Sequence, residues 1–256
     1  MYLSREPASA RAKLVDLMDR SKIILLRLLD HYKRDLRPHL KDPFKSLISI
    51  ILSQNTNSSN MHTAYQRLEA NIGITPEKIA SSSIDSLIES IRPAGMHNQR
   101  SRVLKKVAES ILKCYEGDIA PILDLPYKEA REILMLLPGV GNKTADVLLL
   151  FNANKKIVPI DRHIFRITKR LELVPQNANY DIIRETLEAA TPSGRHEDVH
   201  VNRFKTRNIS ENVFYHVHVS LIQFGREICK AIKPRCTKCF LDDLCPYPSK
   251  TKNTKV

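Results

Sequence analysis

The chain has 256 residues, enough for one large domain or two small ones with a buried core. Its formal net charge of +13 at pH 7 indicates a polyanionic partner, either a nucleic acid or an anionic membrane surface. The N-terminus lacks the apolar stretch of a signal peptide, and no segment reaches the roughly 18 apolar residues of a membrane span, so we expect neither.

Apolar residues recur at helical spacing along almost the whole chain, and no sustained apolar–polar alternation indicates a sheet. We therefore predict an all-α fold. The predicted helices cover 22–32, a segment that begins at Asp42-Pro43, 59–71, a segment that begins at Thr75-Pro76, 84–91, a segment that Gly117 ends, 127–137, 144–150, 162–172, 180–190 and 213–229. Residues 192–212 lack periodicity and predict a long surface loop, and residues 249–256 predict a disordered tail.

Four of the five cysteines lie close together, with the spacing Cys229-x6-Cys236-x2-Cys239-x5-Cys245. In a chain without secretory signals, such cysteines are better interpreted as metal ligands than as disulfides. Only Cys236 and Cys239 form the paired spacing typical of zinc sites, and four thiolates also suit a 4Fe-4S cluster, so the spacing alone leaves both open. Cys114 lies on an apolar stripe, which predicts a core position.

The stretch LPGVGNKTADVLLL, residues 137–150, predicts a tight turn between two helices that contains Gly139 and Gly141. Amides of such a turn, with the free N–H groups at the start of the second helix, favour an anion such as phosphate. Lys143 falls in the first helical turn, where the helix dipole disfavours a cation; this suits a nucleophilic amine. A plain interhelical turn, and a lysine that is solvated or paired with a phosphate, are the alternatives.

Two further features accompany the hairpin: Asp161, in VPIDRHIFRI, and the four-cysteine spacing. Hairpin, lysine, aspartate and cysteines, in this order, resemble the endonuclease III family of helix-hairpin-helix DNA glycosylases over roughly residues 40–248. The resemblance implies two all-α lobes with DNA in the cleft between them. Residues 39–156 would form a six-helix lobe with the hairpin, and residues 1–38 plus 157–248 a lobe with an iron-sulfur cluster loop.

The resemblance also implies an activity: removal of oxidised pyrimidines from duplex DNA and nicking of the abasic site by β-elimination. Lys143 matches the family's nucleophile, which attacks C1′ of a flipped-out nucleotide. Asp161 matches the carboxylate that stabilises positive charge on the sugar. The alternative for Asp161 is an N-cap of the helix that begins at Arg162, and both roles are compatible.

Further DNA contacts and the cofactor follow from the same resemblance. Gln54 matches the residue that fills the gap left by the extruded base, and Met96 matches the apolar wedge; a polar residue at a helix end and a core filler are the alternatives. Four thiolates would hold a structural 4Fe-4S cluster in a loop that presents cations to DNA, although these cations could also be simply solvated. The implied phosphate contacts are Gly139, Val140, Gly141, Lys230, Lys233, Arg235 and Lys238, and the implied cluster ligands are Cys229, Cys236, Cys239 and Cys245.

The chain departs from the family pattern at Arg162, where threonine is usual, and in the length of residues 192–212. In this segment, DNA contacts are one interpretation and a surface loop without function is the alternative; the candidate contacts are His196, His200, Arg203, Lys205 and Arg207. We expect a monomer that binds duplex DNA with damaged bases or abasic sites, in the cytoplasm with the nucleoid or in a nucleus. A glycosylase for uracil or thymine mismatches or for 8-oxoguanine is one alternative. A non-catalytic iron-sulfur protein that binds DNA or senses redox state is the other.

Overall fold

The computed structural model describes residues 8–32, 41–192 and 212–247. Within these ranges the secondary structure is helical and contains no β-strand, which confirms the all-α prediction. The loop and the tail predicted at residues 192–212 and 249–256 lie outside the described residues, apart from residues 192 and 212 themselves.

The described ranges contain twelve α-helices. They are α1 (Ala8–His31), α2 (Pro43–Ser53), α3 (Ser58–Asn71), α4 (Pro76–Ser81), α5 (Ile84–Ile91), α6 (His97–Tyr115), α7 (Ala120–Asp124), α8 (Tyr127–Met135), α9 (Asn142–Asn152), α10 (Arg162–Arg170), α11 (Tyr180–Ala190) and α12 (Val213–Glu227). Three short 3₁₀ helices cover Arg92–Ala94, Cys236–Lys238 and Asp242–Leu244.

The predicted start signals work as their chemistry requires. The side chain of Asp42 accepts a hydrogen bond from the N–H of Lys45 at 3.0 Å, and Pro43 is the first residue of α2. Thr75 caps α4 in the same way. Two features differ from the prediction: α1 begins at Ala8 rather than near residue 22, and α7 was not predicted.

Contacts divide the chain into two compact units. Residues 1–36 and 156–256 make up one, which we call the terminal unit, and residues 37–155 make up the other, which we call the central unit. The central unit is therefore an insertion in the sequence of the terminal unit.

The core of the terminal unit is formed by α1, α10, α11 and α12. Gly225 of α12 allows a close approach to α10, because a Cβ there would lie 2.7 Å from Cβ of His163. The fully buried residues of this core include Ile24, Leu25, Leu28, Ile164, Ile167, Ile183, Leu187, Val217, Leu221 and Leu241. Since Leu241 belongs to the cysteine segment, this core also anchors that segment.

In the central unit, α2 packs on α9, and α4 and α5 pack on α6. The predicted stripe of α2 is buried at every position: Phe44, Leu47, Ile48, Ile51 and Leu52. The prediction for Cys114 was wrong, because this cysteine is exposed. It lies in the last turn of α6, at the edge of the face that buries Leu104, Val107 and Ile111.

Candidate nucleic-acid interface and cysteine cavity

The hairpin joins α8 to α9 and is built on buried apolar side chains. Leu134 and Leu137 are buried, and Val140 is 6% exposed. The N–H of Val140 donates to the carbonyl of Leu137 at 3.1 Å, which closes the turn. The predicted phosphate contact of Val140 therefore lacks its donor, since this N–H is already used inside the hairpin.

The two glycines of the hairpin play different structural roles. Gly139 has φ +75, in the left-handed region, and a Cβ there would lie 2.5 Å from Cγ1 of Val103. Gly141 has an extended backbone, and no atom of the described residues lies within 4 Å of its would-be Cβ. The fold thus requires glycine at residue 139, whereas the open space at Gly141 leaves room for a second backbone.

Lys143 is exposed and is the second residue of α9. Gly141 precedes the helix as its N-cap and provides no capping side chain, so the first N–H groups of α9 depend on solvent or a ligand. An anion at this position would be stabilised by those N–H groups and by the helix dipole. The primary amine of Lys143 is accessible directly beside such an anion.

A buried ion pair stiffens the hairpin. Asp146 of α9 is fully buried, and its Oδ1 accepts hydrogen bonds from Nε of Arg131 at 3.0 Å and from the hydroxyl of Tyr127 at 3.1 Å. Both partners lie on α8, so the contacts connect the two helices that flank the turn. Because a buried carboxylate is costly without such partners, the arrangement disfavours any splaying of α8 from α9.

Gln54 lies beside the hairpin, at the end of α2. Its Nε2 donates to the carbonyl of Gly139 at 3.3 Å and to Oγ1 of Thr144 at 3.2 Å. The structure therefore brings Gln54, the turn and the start of α9 together.

Met96 is 53% exposed, so it is not a core filler. It precedes α6 in the left-handed conformation, with φ +50, directly after Gly95 at φ +73, so two successive residues have positive φ. This conformation is unusual for methionine, and the apolar side chain is exposed to solvent.

Arg100 is a residue of this region that the sequence reasoning missed. It is only 5% exposed, and its guanidinium donates to the carbonyls of Ala94, Gly95 and Gln54. Burial lowers the pKa of Arg100 from its ordinary value. In HNQRSRVLKK the residue looks like part of a solvated basic face, so the sequence carried no signal for a buried role.

In the terminal unit, Asp161 is the N-cap of α10. Its Oδ1 accepts hydrogen bonds from the N–H groups of His163 and Ile164, both at 2.8 Å. Among the described residues, no hydrogen bond reaches Oδ2. The capping role of Asp161 thus occupies one oxygen, and the carboxylate is half-buried rather than enclosed.

His163 is held as a hydrogen-bond acceptor. Its Nδ1 lies 3.1 Å from Nη2 of Arg166, and arginine has only donors, so Nδ1 must carry the lone pair. Burial lowers the pKa of His163, and Arg166, Arg226 and Arg162 lower it further, against the opposing charge of Asp161. Both observations favour the neutral imidazole.

All four clustered cysteines line one cavity. Its other walls include Leu171, Phe224 and Ile228, which are apolar. Burial raises the pKa of the Cys239 thiol to about 11, and it also raises the pKa of Cys245. Within the described ranges, no three His, Cys, Asp or Glu side chains are grouped to hold a single metal ion; the four thiols instead surround a common space.

Arginines fasten the backbone around this cavity. Arg166 donates to the carbonyls of Gly225 and Cys229, and Arg170 donates to those of Lys230 and Ala231. Nη1 of Arg170 also lies 3.5 Å from Sγ of Cys229. These contacts fix the segment that carries the first cysteine against α10.

Three of the four predicted basic contacts are exposed: Lys233, Arg235 and Lys238. Lys230 is half-buried, and its carbonyl is held by Arg170. The cysteine segment therefore presents a set of three exposed cations, which suits a polyanion.

Comparison with known proteins places this geometry in a family. The model of the HhH-GPD superfamily of base excision DNA repair proteins matches residues 48–193, more than half of the chain. Endonuclease III of Sulfolobus acidocaldarius is 32% identical over 239 residues, which cover 90% of this chain and 97% of that protein. The chain belongs to the endonuclease III family.

Two other relatives agree. Endonuclease III of Thermotoga maritima is 30% identical over 84% of this chain and 88% of its own length. A non-covalent endonuclease III–DNA complex has the same fold, with a TM-score of 0.74 and 24% identity over 92% of this chain and 98% of that one. The predicted fold class and family are thereby confirmed.

A member of the endonuclease III family is a base-excision repair enzyme, a DNA glycosylase with abasic-site lyase activity. Membership therefore disfavours the alternative of a non-catalytic DNA-binding protein. Among the described residues, no helix is both long and apolar enough to span a membrane.

Proposed function

We propose that Lys143 is the nucleophile of this glycosylase and lyase. The observation that carries the proposal is its exposed side chain in the first turn of α9, where the first N–H groups of the helix have no capping side chain. These N–H groups bind a phosphate of the damaged strand, so the sugar beside that phosphate meets the amine. Attack on C1′ expels the base, and the imine that forms between Lys143 and the sugar permits β-elimination of the 3′ phosphate.

We propose that Asp161 assists at the same sugar. Oδ1 caps α10, and no hydrogen bond of the described residues reaches Oδ2, which leaves Oδ2 to stabilise the positive charge that develops as the base departs. The cap fixes the orientation of the carboxylate, so the stabilising charge needs no reorganisation. The cleft between two lobes, and the joint approach of Lys143 and Asp161 within it, remain predictions from the family.

The substrate class that we propose is oxidised pyrimidines in duplex DNA. Its support is family membership and the lysine at residue 143, the feature of a glycosylase that also cleaves the strand. Met96 enters the duplex as the wedge and Gln54 fills the vacated space. The enzyme acts as a monomer where the genome lies, in the cytoplasm with the nucleoid or in a nucleus.

The cofactor that we propose is a 4Fe-4S cluster held by Cys229, Cys236, Cys239 and Cys245. The four thiols suit such a cluster, because they line one largely apolar cavity. Arginines of α10 hold the backbone beside this cavity through hydrogen bonds to the carbonyls of Cys229 and Lys230. When bound, the cluster supplies cross-links between the four cysteines and positive charge that keeps the buried thiols ionised. The chain's own contribution is to present Lys233, Arg235 and Lys238 to the DNA backbone.

Borohydride trapping tests the proposed nucleophile. Reduction of the imine should join the wild-type protein covalently to a duplex with thymine glycol and to a duplex with an abasic site. Lys143→Ala should retain duplex binding and lose the covalent product. Lys128→Ala, which removes an exposed lysine from α8, is the control and should trap like the wild type.

The possible results separate the activity from its substrate. A Lys143→Ala protein that still traps would show that another amine is the nucleophile. A wild-type protein that traps on abasic and uracil duplexes, and never on oxidised pyrimidines, would contradict the proposed substrate and leave the proposed chemistry in place.

A further inference from the structure

A buried guanidinium in the central unit joins two backbone segments. Nη1 of Arg100 donates to the carbonyl of Ala94 at 2.8 Å and also to that of Gly95, while Nη2 donates to the carbonyl of Gln54. An arginine side chain is rarely buried, because its N–H donors then need hydrogen-bond partners inside the protein. For the buried Arg100 these partners are three backbone oxygens. Arg100 therefore stabilises a particular backbone arrangement rather than an ion pair.

The two segments are those that carry the residues proposed to enter the duplex. Gln54 is held through its own carbonyl, and Met96 directly follows the Ala94-Gly95 carbonyls. Gln54 in turn reaches the hairpin through Gly139 and Thr144. A continuous chain of hydrogen bonds thus runs from the start of α9 to the turn before Met96.

Backbone conformation explains why this turn needs support. Gly95 and Met96 both have positive φ, and the left-handed conformation of Met96 is strained for a residue with a side chain. Carbonyls that point to one guanidinium make that conformation favourable. The planar fork of arginine spaces its donors, so one side chain reaches both segments, whereas an ammonium concentrates its donors at one point.

We propose that Arg100 is a positioning residue for base extrusion, which fixes the separation of Gln54 and Met96 so that both enter the duplex together. The proposal rests on the proposed function of these two residues. Arg100 contacts neither of the proposed reacting groups, Lys143 and Asp161, in the described contacts. Its loss should therefore impair unstacking of the damaged base and leave the lyase chemistry at an abasic site nearly intact, because an abasic site has no base to unstack.

Single-turnover kinetics and fluorescence test the proposal. 2-Aminopurine is placed next to thymine glycol in a duplex, where unstacking raises its fluorescence. In Arg100→Met we expect loss of most of the fluorescence rise and base excision at least about tenfold slower, with strand cleavage at a preformed abasic site slowed less than about threefold. Arg102→Met, at an exposed arginine of the same helix, should match the wild type in all three measurements.

A double-mutant cycle with Met96→Ala adds a readout that a merely structural role would not give. If Arg100 acts through the wedge, its substitution should cost little further excision rate once Met96 is truncated. Fully additive losses would overturn the proposal, as would an Arg100→Met protein with wild-type fluorescence and excision. Equal slowing on lesion and abasic duplexes would also overturn it, since this pattern indicates general damage to the fold.

If circular dichroism shows that Arg100→Met does not fold, Arg100→Lys tests the proposal instead. We expect lysine to retain one set of carbonyls and so to lose excision selectively, by about threefold to tenfold, with normal abasic-site cleavage. A lysine variant equal to the wild type on both duplexes would overturn the proposal. A wild-type protein that fails to trap on any duplex would instead refute the proposed function, independently of Arg100.

Discussion

Gly139 lies so close to Val103 that a Cβ added to it would be 2.5 Å from Cγ1 of that valine. Its positive φ adds backbone strain for any other residue. We therefore expect Gly139→Ala to lower the free energy of unfolding by about 2–4 kcal/mol, measured by urea denaturation. A Gly139→Ala protein as stable as the wild type would show that α6 can yield at this contact.

Gly141→Ala should affect DNA binding rather than stability. Its extended backbone and open surroundings accept a methyl group, so stability should stay within about 1 kcal/mol of the wild type. The same methyl group would occupy the space proposed for a DNA phosphate, so duplex affinity should fall by about tenfold in a fluorescence anisotropy titration. Unchanged affinity would argue against a phosphate at the hairpin.

Asp146→Ala should destabilise the hairpin, because it leaves the Arg131 guanidinium, which is largely buried, without its carboxylate. We expect a loss of about 3 kcal/mol in the free energy of unfolding, measured in urea. Asp124→Ala, which removes an exposed aspartate at the end of α7, is the control and should cost less than about 0.5 kcal/mol. Similar losses for both would show that the buried pair contributes little.

His163 should make the stability of the protein depend on pH. Its pKa is lowered in the folded state, so the unfolded chain takes up the proton first as the pH falls. The stabilising contribution is complete above the ordinary value of 6.5 and is lost as the pH falls from there through the folded-state pKa. Urea midpoints between about pH 7.5 and about pH 5.5 should fall more in the wild type than in His163→Gln.

The charged groups around His163 provide a further test of this pH dependence. Arg162, Arg166 and Arg226 disfavour its protonation, and Asp161 favours it, so Asp161→Asn should enlarge the pH dependence. His62→Gln, at an exposed histidine of α3, should behave as the wild type. If His163→Gln keeps the full dependence, another group is responsible.

The cysteines offer a matched pair of variants for the cofactor. Wild-type protein should contain iron and sulfide and absorb broadly near about 400 nm. Cys239→Ser, in the cavity, should lose both iron and absorbance, whereas Cys114→Ser, at the exposed cysteine, should retain them. Zinc without iron in the wild-type protein would contradict a 4Fe-4S cluster.

The exposed cations of the cysteine segment should contribute to affinity and not to the choice of base. Replacing Lys233, Arg235 and Lys238 with glutamine should reduce the slope of log affinity against log salt by about 0.9 for each DNA phosphate that the variant no longer neutralises. The ratio of excision rates between two lesions should stay constant. A variant with the wild-type salt slope would show that these cations are solvated rather than bound to phosphates.

Local signals predicted much of the fold. Asp42-Pro43 and Thr75-Pro76 start helices where capping chemistry says they should. In contrast, α7 is only five residues long, too short for a periodic pattern. The spacing that predicted a buried Cys114 is helical, and α6 contains this residue, but Cys114 is exposed in the last turn. Periodicity predicts the face of a helix and does not report how far a neighbouring element covers it.

The site shows the same division between local and non-local information. The hairpin motif predicted a tight turn that contains Gly139 and Gly141, and the structure has this turn, with a positive φ at Gly139. No local pattern could predict that Arg100 would be buried, because its partner at Gln54 lies 46 residues away in the sequence. Nor did the motif distinguish Gly139, which the fold requires, from Gly141, which it does not.

The division of the chain into a central unit and a terminal unit has a consequence for the order of assembly during synthesis. Arg20 of α1 donates to the carbonyls of Leu171 and Leu244, which lie 151 and 224 residues later in the chain. When α1 leaves the ribosome, its partners do not yet exist, whereas residues 37–155 contain their own contacts. The unit that carries Lys143 can thus be complete while the nascent chain still lacks every one of the four clustered cysteines.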